Sequence, residues 1–122
     1  MAMITKEFAS HFAQEWIEAW NAHDLDRILE HYSDDFEMTS PLIVSSMSVA
    51  SGTLKGKQNI REYWAKGLSR FPDLNFKLDQ ATYSIDTIAL YYDAILGRKA
   101  IEWFLFDEHG KVIKSNAHYN ET

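Results

Sequence analysis

Asp93 and Glu102 flank Gly97-Arg98 in a way that could do proton chemistry. A glycine followed by a polar residue between two β-rich runs reads as a two-residue hairpin turn. That turn pairs Leu96 with Lys99, Ile95 with Ala100, and Asp93 with Glu102. Directly opposed side chains sit about 5 Å apart at Cβ, and two charges at that spacing repel by roughly 3 kcal/mol at an effective dielectric of 20. One of the two carboxyls then keeps its proton near neutrality, the more so among aromatic rings. A protonated acid beside an ionised one can donate and accept protons in turn. The plain alternative is that both acids lie at an open rim, where Arg98, Lys99 or solvent neutralises them and no catalysis follows.

Other reaction classes find no residues to carry them. The chain has no cysteine, which removes thiol nucleophiles, disulfides and Cys-ligated metals. His11, His23, His31 and His109 show no ligand spacing, and His31 begins no HxH or HExxH pattern, so no metal site is expected. Gly52 and Gly56 are not followed by Lys-Ser/Thr at phosphate-loop spacing. No GxSxG elbow supports acyl transfer by serine. No cofactor is expected.

The elements that must position the two acids can be read from periodicity. Phe8, Phe12, Trp16, Ala19 and Trp20 fall on one stripe of a helix from about Lys6 to Ala22. Asp24 is placed to cap a second helix, Leu25 to Tyr32, with Ile28, Leu29 and Tyr32 buried. Asp34-Asp35 reads as a turn before a short strand, Phe36 to Ser40, stopped by Pro41. Leu42 to Leu54 is open between an extended arm, a hairpin and a mobile lid. After Gly56, Lys57 to Phe71 reads as a helix with Ile60, Tyr63, Trp64, Leu68 and Phe71 on one face. Four strands follow: Leu74 to Ser84, Thr87 to Leu96, Lys99 to Phe106 and Lys111 to Tyr119, the last two joined by the turn Asp107-Glu108-His109-Gly110. The order α-α-β-α-β-β-β-β predicts an α+β fold with helices packed on one face of a curved antiparallel sheet.

Bulk composition bounds the partners. With 122 residues the chain has the length of one domain spanning residues 1–122. A net charge of −6 argues against a nucleic-acid surface. No apolar run approaches the roughly 18 residues of a membrane span. The opening Met1 to Glu7 lacks the apolar core of a signal peptide, so a cytoplasmic protein is expected. Aromatic residues make up 14% of the chain, enough to fill a core or to line a cavity.

Several segments in this order carry a resemblance. WNAHDLD at 20–26, HYSDDFEMTSP at 31–41, GTLKGKQNIREYW at 52–64, FPDLNF at 71–76, GRK at 97–99 and DEHGKVIK at 107–114 are similar to the SnoaL-like branch of the NTF2-like superfamily. The resemblance covers nearly the whole chain except Leu42 to Ser51. It implies a cone-shaped domain, three N-terminal helices and a strongly curved sheet enclosing a pocket, and homodimers formed through the sheet. Within that fold, catalysts such as isomerases, dehydratases and cyclases stand beside non-catalytic transport and assembly proteins, so activity must be argued from the site.

The family register implies where side chains point. Asp93 and Glu102 face the concave side as an acid/base pair, together with Tyr91, Phe104 and Phe106. Tyr63 and Trp64 face the pocket from the third helix, Met38 and Ser40 from the first strand, and Ser115, Ala117 and Tyr119 from the last strand. Tyr92, Trp103 and His118 turn to the opposite face, where a dimer would bury them. Trp16 stands between core and pocket lining, while Phe8 and Phe12 read as core. The ketosteroid isomerase pattern carries over poorly. Its general-base Asp before the strand-ending proline is Ser40 here, and its helix-borne Tyr donor is Trp16. Its second donor, a protonated Asp, falls on Glu102. The resemblance therefore implies a small apolar or aromatic ligand with a polar group, acted on by cofactor-free proton transfer with Asp93 and Glu102 as acid and base. Two alternatives stand beside it: a binding module that uses the sheet face and the 42–54 arm, and a fully packed interior that serves dimerisation alone.

Overall fold

A computed structural model describes residues 3–121. Helix α1, Lys6–Asn21, starts where Thr5 turns extended and its hydroxyl accepts from the Phe8 amide at 3.1 Å. Its buried stripe is Phe12, Trp16 and Trp20, with Ala9, Ala13 and Ala19 filling the gaps. The helix ends at Ala22 and His23; His23 adopts a left-handed conformation (φ 56°) and its Nε2 lies 2.8 Å from the Leu74 carbonyl. Asn21 makes a second tie to the same segment: its side chain donates to the Phe76 carbonyl and accepts from the Phe76 amide. These two polar side chains pin residues 74–76 against the end of α1, and Phe76 stacks on Trp16 as a result.

Asp24 caps α2, Leu25–Leu29, through the Arg27 amide, as the sequence predicts. The helix stops three residues earlier than expected, because Tyr32 already pairs with Val112 in a sheet. Strand β1 therefore runs from Tyr32 to Thr39, through the Asp34-Asp35 pair expected to turn. The Leu42 to Leu54 segment resolves into a helix and a strand. Ser40 caps helix α3, Pro41–Met47, with Pro41 at its first position, and β2, Thr53–Lys55, returns alongside β1. Gly52 between them has φ +70°, and a Cβ there would meet the Ser40 carbonyl oxygen and Val44 Cγ2 at 3.2 Å. Only glycine fits that turn without displacing backbone. Helix α4 spans Lys57–Arg70 and buries Ile60, Tyr63 and Trp64.

The remaining strands are β3, Lys77–Tyr83, β4, Thr87–Asp93, β5, Lys99–Phe106, and β6, Val112–Tyr119. They complete a six-stranded sheet in the order β2-β1-β6-β5-β4-β3. Every pairing is antiparallel except β1 with β6, which is parallel. That pair corrects the expectation of a wholly antiparallel sheet: β1 comes from the helical half of the chain and enters beside β6 running the same way. The helices pack on one face of the sheet. The core between them is an aromatic cluster in which Trp16 lies 5.2 Å from Tyr92 and 5.5 Å from Phe104, ring centre to ring centre. Phe12 packs edge-on against Phe104 and Phe106. Each such buried ring contributes about 1.5–3 kcal/mol of hydrophobic stabilisation.

The connection between β4 and β5 differs from the two-residue turn. Asp93 pairs with Lys99, and the five residues between them close with the Ala94 amide donating to the Arg98 carbonyl at 2.8 Å. Inside, Ile95–Gly97 form one 3-10 turn, in which Leu96 (φ 57°) and Gly97 (φ 70°) are both left-handed. Relative to the expected pairing the register moves by an odd number of residues, and an odd shift sends one strand's side chains to the other face. Tyr92, Leu90 and Ile88 point inward, whereas Tyr91 and Asp93 point outward.

Candidate functional site

A cavity of about 420 Å³ opens between α4 and the concave face of the sheet. Tyr92 of β4, Glu102 of β5 and Tyr119 of β6 form its sheet wall. Leu90, Glu102 and Ala117 are aligned across β4, β5 and β6, and Tyr92, Ala100 and Tyr119 form a neighbouring row on the same face. Trp16 and Trp20 from α1, Tyr63 and Trp64 from α4, and Met38 from β1 close the other sides. Phe76, held by Asn21, completes the aromatic wall.

Among the described residues Glu102 is the one acid in this lining, and it is 3% exposed. Its Oε1 accepts a hydrogen bond from the Tyr92 phenol at 3.1 Å, while Oε2 is buried with no partner among the described residues. The contact follows from the register: Glu102 faces Leu90, and Tyr92 is two residues along the same face, within diagonal reach of a long side chain. Burial pushes the Glu102 carboxyl up to about 7, against the opposing pull of the Tyr92 hydrogen bond. Near neutrality the group thus exists in both protonation states and can either give or take a proton.

Phenols surround this acid. Burial pushes Tyr63 up to about 12 and raises Tyr92, Tyr32 and Tyr119 as well; the Glu102 charge adds to the rise in all four. The Ser40 hydroxyl pulls the other way on Tyr63 and Tyr119. At neutral pH these tyrosines are protonated hydrogen-bond donors. Deeper in, the Trp16 indole N–H donates to the Tyr32 hydroxyl at 2.9 Å. The N–H of Trp20 is also buried but has no partner among the described residues.

The structure sorts the expected site residues. Trp16, Met38, Tyr63, Trp64, Glu102 and Tyr119 lie in the cavity wall. The Trp16 N–H is already committed to Tyr32. Ser40 is buried just behind, capping α3. Phe104 is buried in the core against Phe12 and Trp16. Ser115 is fully buried opposite Phe104, with its hydroxyl unpartnered.

Two expectations are overturned by the register. Asp93 does not oppose Glu102: it faces outward, ion-paired with Lys99. Tyr91 is on the outer face beside Ile101, and Tyr92, expected outside, stands in the cavity wall in its place. The clue was available in β4 itself. In TIALYYD, the bulky residues Ile88, Leu90 and Tyr92 alternate with Thr87, Ala89, Tyr91 and Asp93. That pattern puts Tyr92 inside and leaves Asp93 outside. Trp20 and Phe76 were missed as lining residues because a helical ring stripe and a proline-bounded loop do not reveal a cavity. Among the described residues, no group of three His, Asp or Glu side chains gathers to hold a metal ion.

The SnoaL-like domain family matches residues 13–113, most of the chain. The chain belongs to the SnoaL-like family. Its fold is that of the wider NTF2-like superfamily, with an unclosed, curved six-stranded sheet and helices on one face. Among solved structures it is similar to a SnoaL-like protein of unknown function from Burkholderia thailandensis, with 46% identity over 96% of this chain and 98% of that one and a TM-score of 0.94. It also resembles a proposed ketosteroid isomerase from Kribbella flavida, with 12% identity over 95% of this chain and 80% of that one and a TM-score of 0.74. IdmH, a proposed polyketide cyclase from Streptomyces antibioticus, gives 16% identity over 92% and 91% with a TM-score of 0.74. At such identities the last two likenesses show the fold alone.

Proposed function

We propose that this SnoaL-like domain binds a small apolar or aromatic molecule in the cavity and that Glu102 exchanges a proton with it, in a cofactor-free isomerisation, dehydration or cyclisation. The observation that carries this reading is the Glu102 carboxyl. It is buried in a largely aromatic wall, has one oxygen tied to Tyr92 and leaves the other without a partner. An unsatisfied buried carboxyl oxygen costs stability unless something pairs with it, and a ligand bearing a carbonyl or hydroxyl would do so. Tyr63 and Tyr119 can orient that group as neutral donors, and Trp64 and Met38 supply apolar surface. Asp93, paired with Lys99 on the other face, has no part in this chemistry.

The reading is tested with 2-tetralone, a bicyclic ketone with an exchangeable C–H beside its carbonyl. Exchange of that hydrogen for deuterium is followed by proton NMR in heavy water at pD 7. General acid–base assistance of this kind contributes about 10²–10⁴-fold. The protein should accelerate exchange, and Glu102→Gln should abolish the acceleration. Equal rates with the protein and with buffer would remove the proton-exchange role for this ketone class, and equal acceleration by Glu102→Gln would remove it from Glu102.

A second reading concerns a partner, and it rests on the opposite face of the sheet. Ile101 is 47% exposed there, with Tyr91 opposite it on β4 and the half-buried Trp103 two residues along. We propose that a second copy of the chain covers this face. A domain that only dimerises and binds partners would use the same surface, and it would be indifferent to Glu102→Gln.

A further inference from the structure

The mouth of the cavity carries charge of one sign. Lys66 and Arg70 line it from the last turns of α4, and Arg98 lines it from the β4–β5 connection. The chain as a whole has eighteen acidic and twelve basic residues, so acids should outnumber bases along an average stretch of surface. The cavity reverses the ratio, with three bases against the single, deeply buried Glu102. None of the three bases forms an ion pair among the described residues, whereas Arg27, Lys57, Arg61 and Lys99 all do. Their contacts are neutral. Lys66 Nζ donates to the Ser46 carbonyl at 2.7 Å, which ties α4 to the end of α3. The Arg70 guanidinium lies over the Phe71 ring. The charge of Arg98 reaches far enough inward to act on the Tyr119 phenol.

Resting on the reading of the cavity as a ligand site, we propose that its ligand is an amphipathic anion. The apolar or aromatic body lies among the rings, its proton-exchanging group meets Glu102, and a carboxylate sits at the mouth between Arg70, Arg98 and Lys66. Two physical effects fix that orientation. Guanidinium groups match a carboxylate with paired, charge-assisted hydrogen bonds. A carboxylate turned the other way would be buried beside Glu102, where like charges and lost hydration both oppose it. Unpaired cations of one sign around a low-dielectric opening also concentrate anions from solution and speed their capture.

The test compares 2-naphthoate with 2-naphthamide, which share a ring system and differ in charge. Binding is read from the fluorescence and the indole N–H resonances of Trp16, Trp20 and Trp64, all in the cavity wall. The expected result is that naphthoate binds about tenfold more tightly than naphthamide at low salt. The preference should shrink toward twofold in 0.5 M NaCl, where screening acts over a few ångströms. Substituting Arg70→Gln and Arg98→Gln together should erase the preference for the anion. If both probes shift the three indoles but the amide binds as well as the anion, the anionic ligand is overturned and the apolar cavity stands. A preference that survives the double substitution overturns the assignment of these arginines. If neither probe shifts an indole in the wall, the ligand-site reading fails together with the proposal.

Discussion

The Tyr92 hydroxyl donates to Oε1 of Glu102 at 3.1 Å, and both side chains are buried in the wall of the cavity. A phenol in this position stabilises the carboxylate form, so it holds the acid's pKa below what burial alone would impose. Tyr92→Phe therefore moves the Glu102 pKa upward from about 7. Carboxyl-carbon NMR titration of the two proteins checks the direction. An unchanged midpoint would mean that the hydrogen bond does not tune the acid.

Glu102 also makes stability depend on pH. Its pKa is pushed up to about 7 in the folded chain, against the 4.5 of an ordinary glutamate carboxyl, so between those values the folded state binds the proton that the unfolded state has lost. Stability from this group is full below about pH 4.5 and falls as pH rises through 7, by about 3 kcal/mol in all. Glu102→Gln lacks that loss. Urea unfolding at pH 5 and pH 8 should show the variant gaining on the parent at the higher pH. Parallel pH profiles would show that Glu102 ionises alike in both states.

A separate polar pair holds α1 to β1. The Trp16 N–H donates to the Tyr32 hydroxyl at 2.9 Å in the fully buried core. Tyr32→Phe keeps the ring and strands the indole donor, which costs about 1–3 kcal/mol. Denaturant midpoints measure the loss, and the Trp16 indole proton should lose its hydrogen-bonded chemical shift.

If a second copy covers the outer sheet face, a charge in its centre prevents assembly. Ile101→Asp, at a site already half exposed in the isolated chain, should leave the fold intact and yield monomers in sedimentation velocity at concentrations where the parent dimerises. A parent that sediments as a monomer over the same range would remove the homodimer.

Local chemistry made much of this fold legible. The Asp24 cap, the α1 ring stripe and the span of β5, Lys99–Phe106, depend on neighbours in sequence, and the spacing of residue types conveys them. Helix α4 was readable for the same reason. The failures are non-local or conformational. Tyr32 leaves α2 for the sheet because Val112, eighty residues away, is there to pair with it. The Leu42–Leu54 stretch becomes a helix and a strand around a left-handed Gly52 packed against Ser40. The site itself was half legible. Glu102 is legible as one of two acids on the concave side, but its supposed partner was set by one turn. Leu96, a residue type that seldom adopts a left-handed conformation, does so here and lengthens the connection to five residues. That change exchanges Asp93 for Tyr92 beside Glu102.

The titration of Glu102 bears most directly on its role as the proton-exchanging group of the cavity. The protein is labelled at the glutamate side-chain carboxyl carbon, with the Glu102 resonance assigned by its absence in Glu102→Gln. It should titrate with a midpoint near 7 and shift when 2-naphthol, an aromatic probe that bears a hydroxyl, is added. A midpoint near 4.5 that is indifferent to the naphthol would mean an ordinary, solvated carboxylate, and Glu102 would not be the group that exchanges protons in this cavity.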